Sequence, residues 1–231
     1  MSLSYRALAL LLCYPTEAVR AELLAAAAIL SEDAALPEPI RRALVRLSHA
    51  IAVGDLYERQ EEYVWLFDRT RSLSLNLYEH VHGESRDRGQ AMVALLELYR
   101  EHGLELSANE LPDHLPVFLE FLSTLPDAQA ASLLAEASHV LAALSERLHK
   151  RGSPYRAVFG ALGALAGETP DAAALAALLQ EPDDDPDDLA GLDKLWAESA
   201  VTFGPGEAGC PKAEALVRAM SPAAPAAVAA Q

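Results

Sequence analysis

The chain has 231 residues, 52% of them hydrophobic, and carries 34 acidic against 18 basic side chains for a formal net charge of −16. That length and apolar content suffice for one sizeable core, while the charge repels nucleic acid phosphates and anionic lipid surfaces and favours basic partners. Cys13 and Cys210 lie near opposite ends without metal-ligand spacing, no signal peptide is evident, and the apolar run 7–13 is too short to span a bilayer, so a soluble cytoplasmic protein is expected.

Ala and Leu supply much of the apolar content, and both favour helix, whereas β-branched and aromatic residues are sparse. An all-α fold is therefore expected: a single-domain helical bundle over residues 1–180, then an acidic linker, a short Trp196-containing segment and a flexible, disordered tail over 181–231. The first helix covers residues 5–13 and stops at Tyr14-Pro15, because the residue before a proline avoids the helical region. Thr16 caps a second helix, from Glu17 to about Leu30. A third runs over residues 37–53 with Ile40, Leu44, Leu47 and Ile51 on one face, and Gly54 is its expected left-handed stop. Asp55 and Glu58 make a capping-box-like start for a fourth, which carries Tyr63, Leu66 and Phe67 on one side.

Residues 68–90, DRTRSLSLNLYEHVHGESRDRGQ, differ in texture. Leu73, Leu75 and Leu77 alternate as in a strand, but a helical chain offers no partner strand, so a strand is not expected. Residues 87–102 form an amphipathic helix ended by Gly103. The string SANELPDHLP, 107–116, holds two prolines and forces a corner before a helix from Asp113 to about Leu122. One long helix is predicted over 127–150, ended by Gly152. Ser153-Pro154 and Thr169-Pro170 then read as N-cap and first-turn pairs for two shorter helices. EPDDDPDD, 181–188, is a charged, proline-broken stretch expected to be disordered, and an apolar island with Trp196 follows at 189–203.

The chemistry these residues could carry is limited. His80 and His82, near Glu79 and Glu84, diverge on a helix, so no metal site is expected. Asp113 and His114 are adjacent, which does not suit a base and its orienter, and neither a nucleophile elbow nor a phosphate loop is present. No catalytic residues and no enzyme activity are expected. Arg69, Arg71, Arg86 and Arg88 are read as pairing internally with Asp68, Glu79, Glu84 and Asp87. Tyr63, Leu66 and Phe67 could floor a peptide groove whose polar end is Asp113 and His114.

Two stretches carry a resemblance. EYVWLFDRTRSLSLNLYEHVHGESRDRGQAM, 62–92, and NELPDHLPVFLEFLS, 109–123, closely resemble the NarJ-type nitrate reductase assembly chaperones, also called delta subunits, within the TorD/DmsD family of redox-enzyme maturation proteins. The signatures are an aromatic followed by xxLF, here Tyr63-Val64-Trp65-Leu66-Phe67, and Glu110-Leu111-Pro112-Asp113-His114. The wider family often has Glu-Pro-x-Asp-His, so the proline stands one place later here. The likeness covers roughly residues 1–200. It implies the helical bundle of that family and a non-enzymatic chaperone. Its partners would be the N-terminal peptide of the nitrate reductase alpha subunit, the apo alpha–beta complex and molybdenum cofactor biosynthesis proteins. It would hold the apoenzyme in the cytoplasm for cofactor insertion before membrane attachment. It implies no stably bound cofactor, only help in handling bis-molybdopterin guanine dinucleotide on the partner. Position by position, it implies Tyr63, Leu66, Phe67, Glu110, Pro112, Asp113 and His114 as peptide-binding residues, with His80, His82 and Arg86 as a secondary set. The alternative is an acidic helical interaction scaffold for another molybdoenzyme or a twin-arginine substrate.

Overall fold

The computed structural model describes residues 2–83, 85–106, 110–181 and 183–188, with the side chains of Ser2 and Arg86 set aside. Among these residues the chain is all-α, with no strand. The helices are α1 (Ser2–Leu11), α2 (Glu17–Glu32), α3 (Glu38–Val53), α4 (Leu56–Tyr63), α5 (Leu77–His82), α6 (Arg86–Glu101), α7 (Leu115–Leu122), α8 (Asp127–Glu136), α9 (Ser138–Lys150), α10 (Arg156–Ala166) and α11 (Ala172–Gln180). A π-turn, Val64–Asp68, continues α4, and a 3₁₀ turn, Arg71–Leu73, precedes α5.

The core is built around α1. Tyr5, Leu8 and Leu11 are buried where α1 packs against α2 and α7. Leu44, Leu47 and Ile51 form the inward stripe of α3, which lies on α2 and α10. Val158, Phe159, Leu162 and Leu165 turn α10 into an apolar rod between α3, α8 and α9. Each such side chain contributes roughly 1.5–3 kcal/mol on leaving water.

Local signals act where the sequence puts them. Thr16 accepts the Val19 amide at 3.2 Å and Asp55 accepts the Glu58 amide at 3.1 Å. Gly103, with φ +75°, and Gly152, with φ +64°, close their helices in the left-handed region.

Four expectations change. Gly54 ends α3 with φ −68°, not left-handed; a Cβ there would stand 2.6 Å from the Ala50 carbonyl oxygen, so glycine is required by a close approach. The long helix over 127–150 is two, broken at Ala137, which lets α8 and α9 lie on different neighbours without any glycine or proline to mark the bend. The cap of α11 is Asp171, which accepts the Ala173 and Ala174 amides at 2.8 and 2.9 Å, and not Thr169. Finally, residues 183–188 run along the helical body instead of leaving it, because Trp65, Arg69 and Arg151 hold them. The Trp196 island and the tail lie outside the described residues.

Candidate functional site

The segment from Ser74 to Asn76 is extended and meets the proline corner. Asn76 and His114 form an isolated antiparallel bridge, with Leu77 N–H donating to the Asp113 carbonyl at 3.0 Å and Leu115 N–H to the Leu75 carbonyl at 2.8 Å. Leu73, Leu75 and Leu77 are all buried, but Leu73 closes the 3₁₀ turn and Leu77 opens α5, so only the short link between them is non-helical. Its partner is the corner, not a strand. The Tyr99 hydroxyl donates to the Pro112 carbonyl at 2.7 Å and holds that corner from the α6 side.

Asp113 is completely enclosed, at 0% exposure. Its Oδ2 accepts the Tyr78 amide at 3.1 Å and faces the Arg88 guanidinium at 3.9 Å. Asp113 and His114 lie outside α7, which starts at Leu115 with His114 as its N-cap residue. His114 Nδ1 lies 3.7 Å from Glu110 Oε2. Burial lowers the His114 pKa, opposed by the charges of Glu110, Asp113 and Asp68, while burial raises that of Asp68. Asp68 directly follows Phe67, so this cluster joins the two signature motifs.

Tyr63, Leu66 and Phe67 are buried among core side chains. The Tyr63 hydroxyl donates to the Leu12 carbonyl at 2.9 Å. Its ring stands 5.1 Å from that of Phe67, which stands 5.1 Å from Tyr155. The π-turn is closed by Arg69 N–H on the Val64 carbonyl at 3.1 Å, and within it Leu66 and Phe67 are buried with Tyr63 while Val64 is exposed and Trp65 half-buried. An ideal 3.6-residue period cannot foresee that extra residue.

His80 and His82 part as their spacing requires. His80 is buried with Nε2 2.8 Å from the Ser74 carbonyl, and burial lowers its pKa. His82 stands against the Tyr78 ring, with centroids 5.7 Å apart. No group of three potential metal ligands occurs among the described residues. Of the arginines, Arg71 pairs with Glu79 at 3.8 Å as expected, but Arg69 pairs with Asp187 at 3.6 Å and Arg88 with Asp113. The Arg86 side chain and Glu84 lie outside the described residues. Sequence reasoning missed Arg147, which is buried and donates to the Ser72 carbonyl and the Leu178 carbonyl, each at 2.7 Å, tying the 3₁₀ turn to α11. Its place within the apolar face of α9 was the available signal.

Beside this knot opens an apolar cleft of about 330 Å³. Tyr78, Val81, Leu98, Phe118 and Leu133 line it, with His82, Glu136 and His139 as its polar groups. Five helices, α5 to α9, supply the walls, and the break at Ala137 forms one of them. Asp113 fixes the start of α5, so the buried motif sets the position of Tyr78 at the cleft. A cleft of this shape can take the apolar side chains of a peptide.

The nitrate reductase delta subunit family model matches residues 33–161, which include both motifs. The chain is 44% identical over 168 residues to the nitrate reductase molybdenum cofactor assembly chaperone NarJ of Escherichia coli strain K12, covering 73% of this chain and 71% of that protein. It is 44% identical over 160 residues to the probable chaperone NarW of the same strain, covering 69% of each. It is 31% identical over 153 residues to the probable chaperone NarJ of Bacillus subtilis strain 168, covering 66% of this chain and 82% of that protein.

Proposed function

The chain belongs to the nitrate reductase delta subunit family, and from that premise we propose that it is an assembly chaperone of a nitrate reductase, acting before molybdenum cofactor insertion. The observation that carries this reading is 44% identity across 73% of the chain to a protein named for that role. The relatives are named as assembly chaperones and not as catalysts, which agrees with the absence of a catalytic reading of Asp113 and His114.

The bound element in this reading is the N-terminal segment of the catalytic alpha subunit, and the apolar cleft is where it docks. Val81, Leu98, Phe118 and Leu133 would receive its apolar side chains, and Glu136 a basic one. Each buried anchor would contribute roughly 1.5–3 kcal/mol before ordering costs. The net charge of −16 speeds encounter with a basic segment and helps set its register. Tyr63, Leu66, Phe67 and Asp113 act from behind, by holding the cleft's walls. Among the described residues no helix is long and apolar enough to cross a membrane, which suits the proposed cytoplasmic place of action. The molybdenum cofactor in this scheme is cargo of the partner; the chaperone keeps the apoenzyme open to it.

The test uses Val81, which is 49% exposed and tolerates change without loss of core. Calorimetry with a synthetic alpha-subunit N-terminal peptide should show binding that falls about tenfold or more in Val81→Asp, the loss expected from about 1.4 kcal/mol or more of anchor energy. Equal affinity in the two folded proteins would remove the cleft from the reading. Failure of the wild-type chain to co-purify with an apo alpha subunit, or equal retention of one lacking its first residues, would overturn the partner.

A further inference from the structure

We propose that Trp65, Arg69 and Arg151 form a recognition site for an acidic peptide segment of a protein partner, and that residues 183–187 occupy it as a tethered stand-in. The site uses none of the cleft residues and selects the opposite charge, so it stands apart from the proposed chaperone contact.

The contacts follow one another along the strap. Arg151 Nη2 donates to Asp183 Oδ1 at 2.6 Å and to the Asp184 carbonyl at 2.9 Å. Arg69 Nη1 donates to the Pro186 carbonyl at 3.1 Å. The Trp65 indole N–H donates to Asp187 Oδ1 at 3.0 Å. Two carboxylates, of Asp183 and Asp187, flank two main-chain carbonyls, of Asp184 and Pro186, so the site reads the backbone of the segment together with its acidic side chains. The strap turns within the contacted stretch, with Asp187 N–H on Asp185 Oδ1 at 2.9 Å and Asp188 N–H on the Asp185 carbonyl at 3.1 Å.

Arg151 and Trp65 are positioned by the fold as well as by the strap. Arg151 also donates to Ser72 Oγ at 3.1 Å, and its guanidinium lies 5.6 Å from the centre of the Trp65 ring. Trp65 stands on the π-turn, which the core anchors through Leu66 and Phe67.

Two features mark the strap as a stand-in. Arg151 is nine-tenths buried, and its Nη1 has no hydrogen-bond partner, so the site offers a donor that this segment leaves unmet. The far end of the strap is weakly held: the Asp187 side chain is 69% exposed, and exposed ion pairs contribute only about 0–1 kcal/mol and weaken with salt. Trp65 and Arg69 also line a further hollow of about 310 Å³, shared with Tyr14, Gln60, Glu61 and Val64. A partner segment that satisfies Arg151 Nη1 and fills that hollow would displace the strap.

The experiment uses the full chain with Trp196→Phe, so that Trp65 is the sole indole reporter. The probe is the synthetic octapeptide EPDDDPDD. In a chain with Asp183→Asn and Asp187→Asn the octapeptide should change Trp65 emission with saturation below about 1 mM, and it should bind the unaltered strap at least about tenfold more weakly, because a tethered competitor acts at about millimolar effective concentration. Arg69→Gln in the Asn-substituted chain, or raising salt from about 0.05 to about 0.5 M, should weaken binding about tenfold. Should the double substitution reduce helicity, Asp187→Asn alone, which keeps the Arg151 contacts, reads the same competition. No binding to a folded, Asn-substituted chain overturns the proposal. So does equal binding to the substituted and unaltered straps, or indifference to Arg69→Gln.

Discussion

Asp113 satisfies the first two amides of α5: its carboxylate accepts Tyr78 N–H at 3.1 Å, and its main-chain carbonyl accepts Leu77 N–H at 3.0 Å. The local N-cap residue, Asn76, makes no side-chain capping bond, so the helix start depends on a residue from elsewhere in the chain. The same carboxylate is the Arg88 guanidinium's partner at 3.9 Å. Removing one partner of a buried charge pair is costly, because the other charge is left in a dry place.

Asp113→Ala should therefore destabilise the fold by about 3–5 kcal/mol, and Asp113→Asn, which keeps a carbonyl acceptor for Tyr78, by about 1–3 kcal/mol. Urea denaturation followed by circular dichroism measures both. A loss below about 1 kcal/mol for the alanine variant would mean that the motif is held for contact with a ligand and not for this cap.

Phe67 and Tyr63 sit in the aromatic chain that runs through the π-turn to Tyr155. Phe67→Ala should cost about 3–5 kcal/mol by leaving a cavity, and Tyr63→Phe about 1 kcal/mol by removing the bond to the Leu12 carbonyl. Partner affinity measured on the folded fraction should stay near wild type in Tyr63→Phe, since the lost hydroxyl faces α1 and not the cleft. A large drop in affinity without loss of stability would return these residues to the binding surface.

Burial lowers the pKa of His80, and of His114 against the pull of its carboxylate neighbours, from the ordinary 6.5. Between each folded value and 6.5 the unfolded chain holds more protons than the folded one, so stability is full above 6.5 and is lost as pH falls below it. The melting temperature should drop between about pH 7.5 and about pH 5.5, with a slope of at most about 1.4 kcal/mol per pH unit for each histidine. His80→Gln keeps a donor for the Ser74 carbonyl and cannot take up the proton, so its slope should be shallower. An unchanged slope in that variant would assign the acid sensitivity to other groups.

What could be read from the sequence is what four or five neighbouring residues encode. Thr16 and Asp55 cap, Gly103 and Gly152 stop, Ile40 to Ile51 keep a helical period, and each works through backbone groups a turn away. The family signatures are equally local strings, so fold class and kinship were legible at Tyr63–Phe67 and Glu110–His114 before any coordinates. The direction in which those residues face was not. Tyr63, Leu66 and Phe67 share the face their spacing gives them, but packing against Tyr155 and the Leu12 carbonyl turns that face into the core, and Asp113 caps α5 because the proline corner brings it beside residues 74–76. The bend at Ala137, the apolar cleft and the acidic strap arise likewise. Contacts between groups remote in the chain were not legible either, such as Arg147 with the Ser72 and Leu178 carbonyls. Local sequence sets which backbone conformations are cheap, while burial of apolar surface and of polar groups that must find partners decides which distant segments meet.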